Sequence, residues 1–293
     1  VSYKTTCPKC GGNDFYVTPA NGLSYCFHCT YSEKDGSKSQ DERKIVNSIE
    51  TIQSFYTSIT EYYHSNITPQ VRVYLNSRGY DDGMISKLKL GYIPSESVPY
   101  VNQELLRDSG LYVYERAVLG DRISFPYIVD GKVTDIRGRS MDKNEPTRYK
   151  SPLGTASNRG AIYPYNFSDS IGEHIITEGE IKAGIASQFG FKCVALPGIA
   201  SWRQMTANST SKQTIVFDSA RNRASREHTL RAIDNLAKKL YNPYVAMLPL
   251  GKEDKMDIDT FILLKGPDEF RTIINNALPY NEWAKIQRRI NVY

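Results

Sequence analysis

The sequence predicts an α/β protein in three parts: a small metal-stapled β module, a mixed α+β segment, and a larger α/β domain on a mostly parallel sheet. Three observations predict it. Two Cys-x-x-Cys pairs stand within the first 29 residues, a strand-like alternation breaks and resumes around Asp130-Gly131, and after residue 160 short apolar runs alternate with helical segments. A chain of 293 residues is long enough for two or three such modules, and a lone small metal domain is excluded.

The first element is the cysteine cluster. Cys7-Pro8-Lys9-Cys10 and Cys26-Phe27-His28-Cys29 leave fifteen residues between the pairs. Two residues inside each pair let a tight turn aim both thiolates at one ion, and four soft ligands favour tetrahedral zinc. The stretches Phe15–Thr18 and Leu23–Tyr25 flank Asn21-Gly22 and read as strand, turn, strand. Residues 1–32 are therefore expected to form a zinc ribbon held by Cys7, Cys10, Cys26 and Cys29, because so short a module cannot bury enough core without a staple. His28 is expected beside the site rather than in it. Phe15, Tyr16, Tyr25 and Phe27 lie near Lys4 and Lys9. They suit base stacking on single-stranded nucleic acid or the ribbon's own small core, equally. The fifth cysteine, Cys193, sits in an apolar run and is expected to be an inert core residue. Five cysteines are too few for a disulfide scaffold, and the paired spacing points to a reducing compartment, the cytoplasm.

Residues 33–48 are polar and charged and are expected to be a flexible tether. The α+β segment spans 49–160. Ile52, Phe55, Tyr56, Ile59 and Tyr63 follow helical spacing, as do Val71, Tyr74 and Leu75 after Pro69. Ile123, Phe125, Tyr127 and Val129 share one parity ahead of Asp130-Gly131, and Val133 and Ile136 follow it, as in a hairpin. In 161–265 the apolar runs Ile175-Ile176, 193–196, 214–217 and 245–248 alternate with helical segments at 180–189 and 223–240, the rhythm of βαβ units. A further helical segment at 267–277 falls in residues 266–293, which are expected to be a helical tail.

Carboxylates stand where those runs end. Glu178 follows Ile175–Thr177, Asp218 follows 214–217, and Asp257 and Asp259 follow the run 245–248. In a parallel sheet the carboxyl ends of strands share one edge, where ligands bind. Converging carboxylates repel one another, by about 1 kcal/mol per pair at 4 Å even in water, so such a cluster is expected to hold Mg²⁺ or Mn²⁺ with substrate phosphates. Two such ions could support phosphoryl transfer, whereas the plain alternative is four solvated loop carboxylates.

The net charge of +5 permits a polyanionic partner without requiring one. Mean hydropathy is −0.47, and no run reaches the ~18 apolar residues of a membrane span, so no membrane partner is expected. Residues 1–6 lack the apolar core of a signal peptide and read as a trimmed end from which targeting information is missing. There is no GxxxxGK[ST] motif, so a helicase is expected to be absent or cut away.

Seven segments in order resemble the bacterial-type and phage DNA primase family, which joins a zinc ribbon to a TOPRIM catalytic domain. They are the cysteine motif; Tyr74-Leu75-Asn76-Ser77-Arg78-Gly79-Tyr80 running to Leu90-Gly91-Tyr92; Arg122–Pro126 with Gly131-Lys132-Val133 and Arg137-Gly138-Arg139; Tyr149–Pro152 with Arg159-Gly160 and Ile162-Tyr163; Thr177-Glu178-Gly179-Glu180; Phe217-Asp218; and Lys255–Phe261. The resemblance implies primer synthesis on a single-stranded DNA template from nucleoside triphosphates, with an RNA primer as product and a replicative helicase as partner, in trans or on a longer parent chain. It implies that Glu178 holds metal or assists proton transfer, and that Asp218, Asp257 and Asp259 hold Mg²⁺ or Mn²⁺. Arg137, Arg139, Lys150 and Arg159 match positions that line a basic cleft and contact template or nucleotide phosphates. The chain departs from the pattern twice: Ala220 stands where the second acid of an Asp-x-Asp is usual, and Lys182 where many members carry an acid. Ala220 implies either a catalytically weakened protein or a divergent member in which Asp257 and Asp259 compensate. A TOPRIM nuclease and a non-enzymatic single-stranded DNA-binding protein are the alternatives.

Overall fold

The computed structural model describes residues 3–13, 15–18, 23–26, 32–34, 47–96, 102–113, 116–153, 163, 173–198, 201 and 211–290. The chain divides into two compact units, 1–46 and 47–293.

In the first unit β1 (Tyr3–Thr5), β2 (Phe15–Thr18), β3 (Leu23–Cys26) and β4 (Ser32–Lys34) pair in that order as an antiparallel sheet. Phe15 lies opposite Cys26 in the β2–β3 register and packs with Cys7 and Cys26 as a small buried core. Tyr16 points to the other face, is 38% exposed, and carries the Lys4 ammonium 5.8 Å from its ring centre. The two readings of the aromatics thus divide by strand parity. The Tyr25 side chain, Phe27, His28 and Cys29 lie outside the described residues, as does most of the expected tether, 35–46. The ends of the 33–48 segment differ from a tether. Ser32–Lys34 is a strand, while the Asn47 backbone and side chain both donate to Asp108 Oδ2 at 3.0 Å in the second unit.

The second unit opens with α1 (Ile49–Ser65). Ser48 caps it by accepting from the Thr51 N–H, and Ile52, Phe55, Tyr56, Ile59 and Tyr63 form its buried face. Then come α2 (Pro69–Ser77), α3 (Asp82–Lys87), β5 (Gly91–Ile93), α4 (Gln103–Asp108), and the short pair β6 (Tyr112–Val113) and β7 (Arg116–Ala117). The hairpin is β8 (Arg122–Val129) and β9 (Lys132–Arg139). It turns on Asp130 and Gly131, both at positive φ, as a tight two-residue hairpin loop requires. With β10 (Tyr149–Lys150) these strands form the antiparallel sheet β10-β9-β8-β5.

Both faces of this sheet are covered. Val133 and Ile136 pack into a cluster with the buried face of α1, whereas Ile123, Phe125 and Tyr127 pack into a cluster shared with the α/β part. Arg137 and Arg139 pair with Phe125 and Ile123, so both arginines are carried on the face turned toward the α/β part.

That part comprises β11 (His174–Glu178), α5 (Glu180–Gln188), β12 (Cys193–Leu196), β13 (Gln213–Ile215), β14 (Ser219–Ala220), α6 (Arg223–Ala237), β15 (Pro243–Val245), β16 (Lys255–Met256), α7 (Ile258–Lys265), α8 (Pro267–Asn275), β17 (Leu278–Pro279) and α9 (Tyr280–Ile290). Its sheet runs β12-β11-β13-β15-β17, with the first four strands parallel and β17 antiparallel. Residues 266–293 are therefore more than a helical tail: β17 completes one sheet edge, and Trp283 is buried against the cluster that holds Ile215, Phe217 and Leu236. Cys193 is fully buried in β12, and burial pushes its thiol well up, as expected of an inert core residue. The two parts meet where Tyr80 enters beside α5 and its hydroxyl donates to the Ile181 carbonyl at 3.2 Å. Gly184 makes room for it, since a Cβ there would lie 2.0 Å from the Tyr80 hydroxyl oxygen.

Candidate active site

The zinc motif gathers as its spacing requires. Cys7, Cys10 and Cys26 bring their sulfurs within 4.8 Å of one another, and Cys10 Sγ lies 3.8 Å from Cys26 Sγ. Tetrahedral corners around an ion with ~2.3 Å zinc–sulfur bonds are about 3.8 Å apart, so the three thiols fit zinc. Burial raises the Cys7 thiol, but backbone hydrogen bonds involving Cys10 and Lys9 and the neighbouring thiols outweigh it and bring it down to about 7. A thiol so placed is readily present as the thiolate a metal needs. Cys29, the expected fourth ligand, lies outside the described residues.

The second site is built where β11 ends. Glu178 is the last residue of β11, Gly179 turns the chain at φ +89°, and Glu180 begins α5. A cavity of about 190 Å³ opens there, lined by Arg78, Arg139, Arg148, Tyr149, Glu178, Gly179, Ile181, Lys182, Lys255 and Asp257. That is small against the roughly 300–1,000 Å³ of a pocket enclosing a whole small molecule, so it suits a phosphate group with the rest of a nucleotide outside. Among the described residues neither Arg139 nor Arg148 has a carboxylate partner; Arg139 donates to the Tyr149 hydroxyl at 2.6 Å and lies over the Tyr74 and Tyr149 rings. Aromatic faces can hold a guanidinium in place without cancelling its charge.

The four expected acids come to this region but not as one cluster. Asp218 is held by two lysines: Lys182 Nζ at 2.5 Å from Oδ1 and Lys255 Nζ at 2.8 Å from Oδ2. Asp259 is almost fully buried and paired with Arg78. Asp257 is the N-cap of α7, its Oδ1 accepting from the Thr260 N–H at 3.1 Å. Burial, then the neighbouring Asp257, pushes the Asp259 carboxyl up to about 7 against the opposing pull of Arg78. Among the described residues no three of these carboxylates bring oxygen atoms within 4.8 Å of one another.

A divalent ion does not fit this donor set. Both oxygens of Asp218 already face ammonium groups, and Asp259 is buried and engaged by Arg78. A doubly charged ion 4 Å from an ammonium would be repelled by about 8 kcal/mol at an effective dielectric of 20. The expectation of carboxylates awaiting a cation thus meets a site that carries its own cations.

The expected phosphate contacts divide. Arg139 lines the cavity, whereas Arg137 is engaged elsewhere, its Nη1 lying 2.6 Å from Glu180 Oε1, with Glu180 wholly buried. The Tyr127 hydroxyl donates to the same oxygen at 2.7 Å. Lys150, next to Tyr149 on β10, lines a separate cavity with Arg116 and Arg122, because adjacent strand residues point to opposite faces. Arg159 lies outside the described residues. Arg78, Arg148, Lys182 and Lys255 line the cavity although the sequence assigned them no binding role. Arg78 and Lys255 fall inside motifs quoted above, while nothing local marks Arg148.

No protein-family model matches the chain. The DNA primase of Staphylococcus aureus is 26% identical over 281 residues, covering 84% of this chain and 44% of that protein. The DNA primase of Aquifex aeolicus is 26% identical over 325 residues, covering 94% of this chain and 64% of that protein. In structure, the zinc-binding and RNA polymerase domains of Aquifex aeolicus primase match with a TM-score of 0.64 at 21% identity, covering 99% of this chain and 82% of that one. This chain is a relative of the bacterial DNA primases. A primase catalytic domain bound to single-stranded DNA also matches, with a TM-score of 0.63 at 20% identity over 78% of this chain and 80% of that one. The primase relative spans less than half the length of the staphylococcal primases it matches. Among its described residues no helix is long and apolar enough to cross a membrane.

Proposed function

We propose that this chain is a priming core that binds single-stranded DNA and a nucleoside triphosphate in the cleft at the end of β11 and joins nucleotides slowly into an RNA primer for DNA replication. The observation that carries the reading is the pair Arg139 and Arg148, two cations without a carboxylate partner among the described residues, lining a phosphate-sized cavity at the start of α5. The α5 N-terminus adds backbone N–H groups and the positive end of its dipole to the same spot. Tyr74 and Tyr149 hold Arg139 against the cavity wall.

In the reaction the 3′-hydroxyl of the primer attacks the α-phosphate, the bond to the β-phosphate breaks, and pyrophosphate leaves. Glu178, lining the cavity, takes the hydroxyl proton. Arg78, Arg139 and Arg148 hold the phosphates and offset the charge that builds on them. The acids as placed are engaged by cations and do not fit a metal. With Ala220 two residues after Asp218, where a second acid is usual, the chain is expected to prime slowly. The zinc ribbon reads template bases through Tyr16. A replicative helicase as partner rests on the family resemblance alone.

The test is primer synthesis from labelled ribonucleotides on single-stranded DNA. Template-dependent short products, lost in Glu178→Gln, support the reading. Degradation of the template indicates a nuclease, and DNA binding without products or degradation indicates a binding protein.

A further inference from the structure

Two lysines stand at the centre of the candidate site, where local rules do not favour them. Lys182 is the third residue of α5, and a cation in the first turn opposes the helix dipole. Its side chain is only 14% exposed, and its ammonium faces Asp218 Oδ1. Lys255 comes from β16, paired with β14 so that it lies opposite Ala220, and it reaches Asp218 Oδ2. The Asp218 carboxylate is thus bridged between two ammonium groups brought from separate elements. Each of these lysines also lines the cavity that holds Arg78, Arg139 and Arg148. Asp257 and Glu178 line the same space, so the lysines stand among acids.

We propose that the Lys182 and Lys255 ammonium groups take the place of a divalent cation here, so that the chain binds the phosphates of a nucleoside triphosphate without Mg²⁺ or Mn²⁺. Asp218 is then a positioning residue. It fixes two flexible side chains so that their remaining N–H donors face the cavity, which lowers the ordering cost when a phosphate arrives. The arginines supply directional hydrogen bonds, and the lysines supply compact charge at the point nearest the acids. The proposal rests on the triphosphate reading of the cleft given above.

The test titrates the full chain with a fluorescent ATP analogue, once in EDTA with zinc retained and once in excess Mg²⁺. Affinities agreeing within about fivefold support the proposal. Loss of more than about fivefold in EDTA overturns it and leaves the triphosphate reading standing. Absence of binding under both conditions overturns both. Lys182→Met with Lys255→Met is expected to weaken binding in EDTA by about tenfold or more, whereas Lys182→Arg with Lys255→Arg is expected to retain it; a folded methionine variant that binds as tightly as the parent overturns the proposal. Electron paramagnetic resonance of added Mn²⁺ needs no variant. Bound Mn²⁺ below about half an equivalent without nucleotide is expected, and a full tightly bound equivalent displaced by Glu178→Gln overturns the proposal.

Discussion

Replacing Arg137 should damage stability rather than DNA affinity. The Arg137 side chain is 13% exposed and its partner Glu180 is wholly buried, with 2.6 Å between their charged atoms. The Tyr127 hydroxyl also donates to that carboxylate. Arg137→Met would leave a buried carboxylate without its cation, a change that costs about 3–5 kcal/mol, a large share of the roughly 5–15 kcal/mol that holds a domain folded. Replacing both partners by apolar residues, Arg137→Met with Glu180→Leu, should cost less than Arg137→Met alone, because no uncompensated charge stays buried. Urea unfolding followed by circular dichroism measures both variants. Each phosphate contact to a single strand contributes about 0.7 to the log–log salt slope, and Arg137→Met should leave that slope unchanged in a folded sample. A slope flattened by about 0.7 with an unchanged urea midpoint would refute the argument and put Arg137 on the DNA.

Zinc analysis should find one equivalent per chain, and Cys26→Ser should unfold the ribbon while the 47–293 unit keeps its melting transition; less than about half an equivalent without chelators would contradict the site. Arg148→Ala should flatten the salt slope for single-stranded DNA, expected at roughly −2 to −4, by about 0.7, and an unchanged slope would move the groove elsewhere. Gly184→Ala should destabilise by about 1–3 kcal/mol in urea despite alanine's better helix propensity, because its methyl meets the Tyr80 hydroxyl; a more stable variant would show that Tyr80 is free to move. Lys182→Asp with Lys255→Met and Ala220→Asp should create Mn²⁺ binding detectable by paramagnetic resonance, and no gain would show that the lysines are not what excludes the ion.

Much of the fold was legible because its signals are local. The helical spacing of Ile52 through Tyr63, the Asp130-Gly131 turn and the apolar runs at 175–176 and 193–196 each report one element's own geometry. The strand at Leu278–Pro279 was not legible, since a two-residue edge has no period to read, and it left residues 266–293 looking like a tail. At the site, the ends of the apolar runs marked Glu178 and Asp218, but charge pairing was hidden. Arg78 and Asp259 are 181 residues apart in sequence, and nothing near either names the other. Arg137 and Arg139 look alike in sequence and share a face, yet one meets buried Glu180 and the other two tyrosines. Asp257 was read as a ligand, while Asp257-x-x-Thr260 is also a helix-capping pattern, which the structure shows in use.

A crystal structure of the chain soaked with a nucleoside triphosphate and Mn²⁺ shows whether the two lysines stand in for the ion. Phosphates are expected in the cavity among Arg78, Arg139, Arg148 and Lys182, with no Mn²⁺ on Asp218. Phosphates seated instead beside Arg221 and Arg226 in the cavity along α6, or Mn²⁺ bridging Asp218 and Glu178 with both lysines displaced, would contradict that expectation.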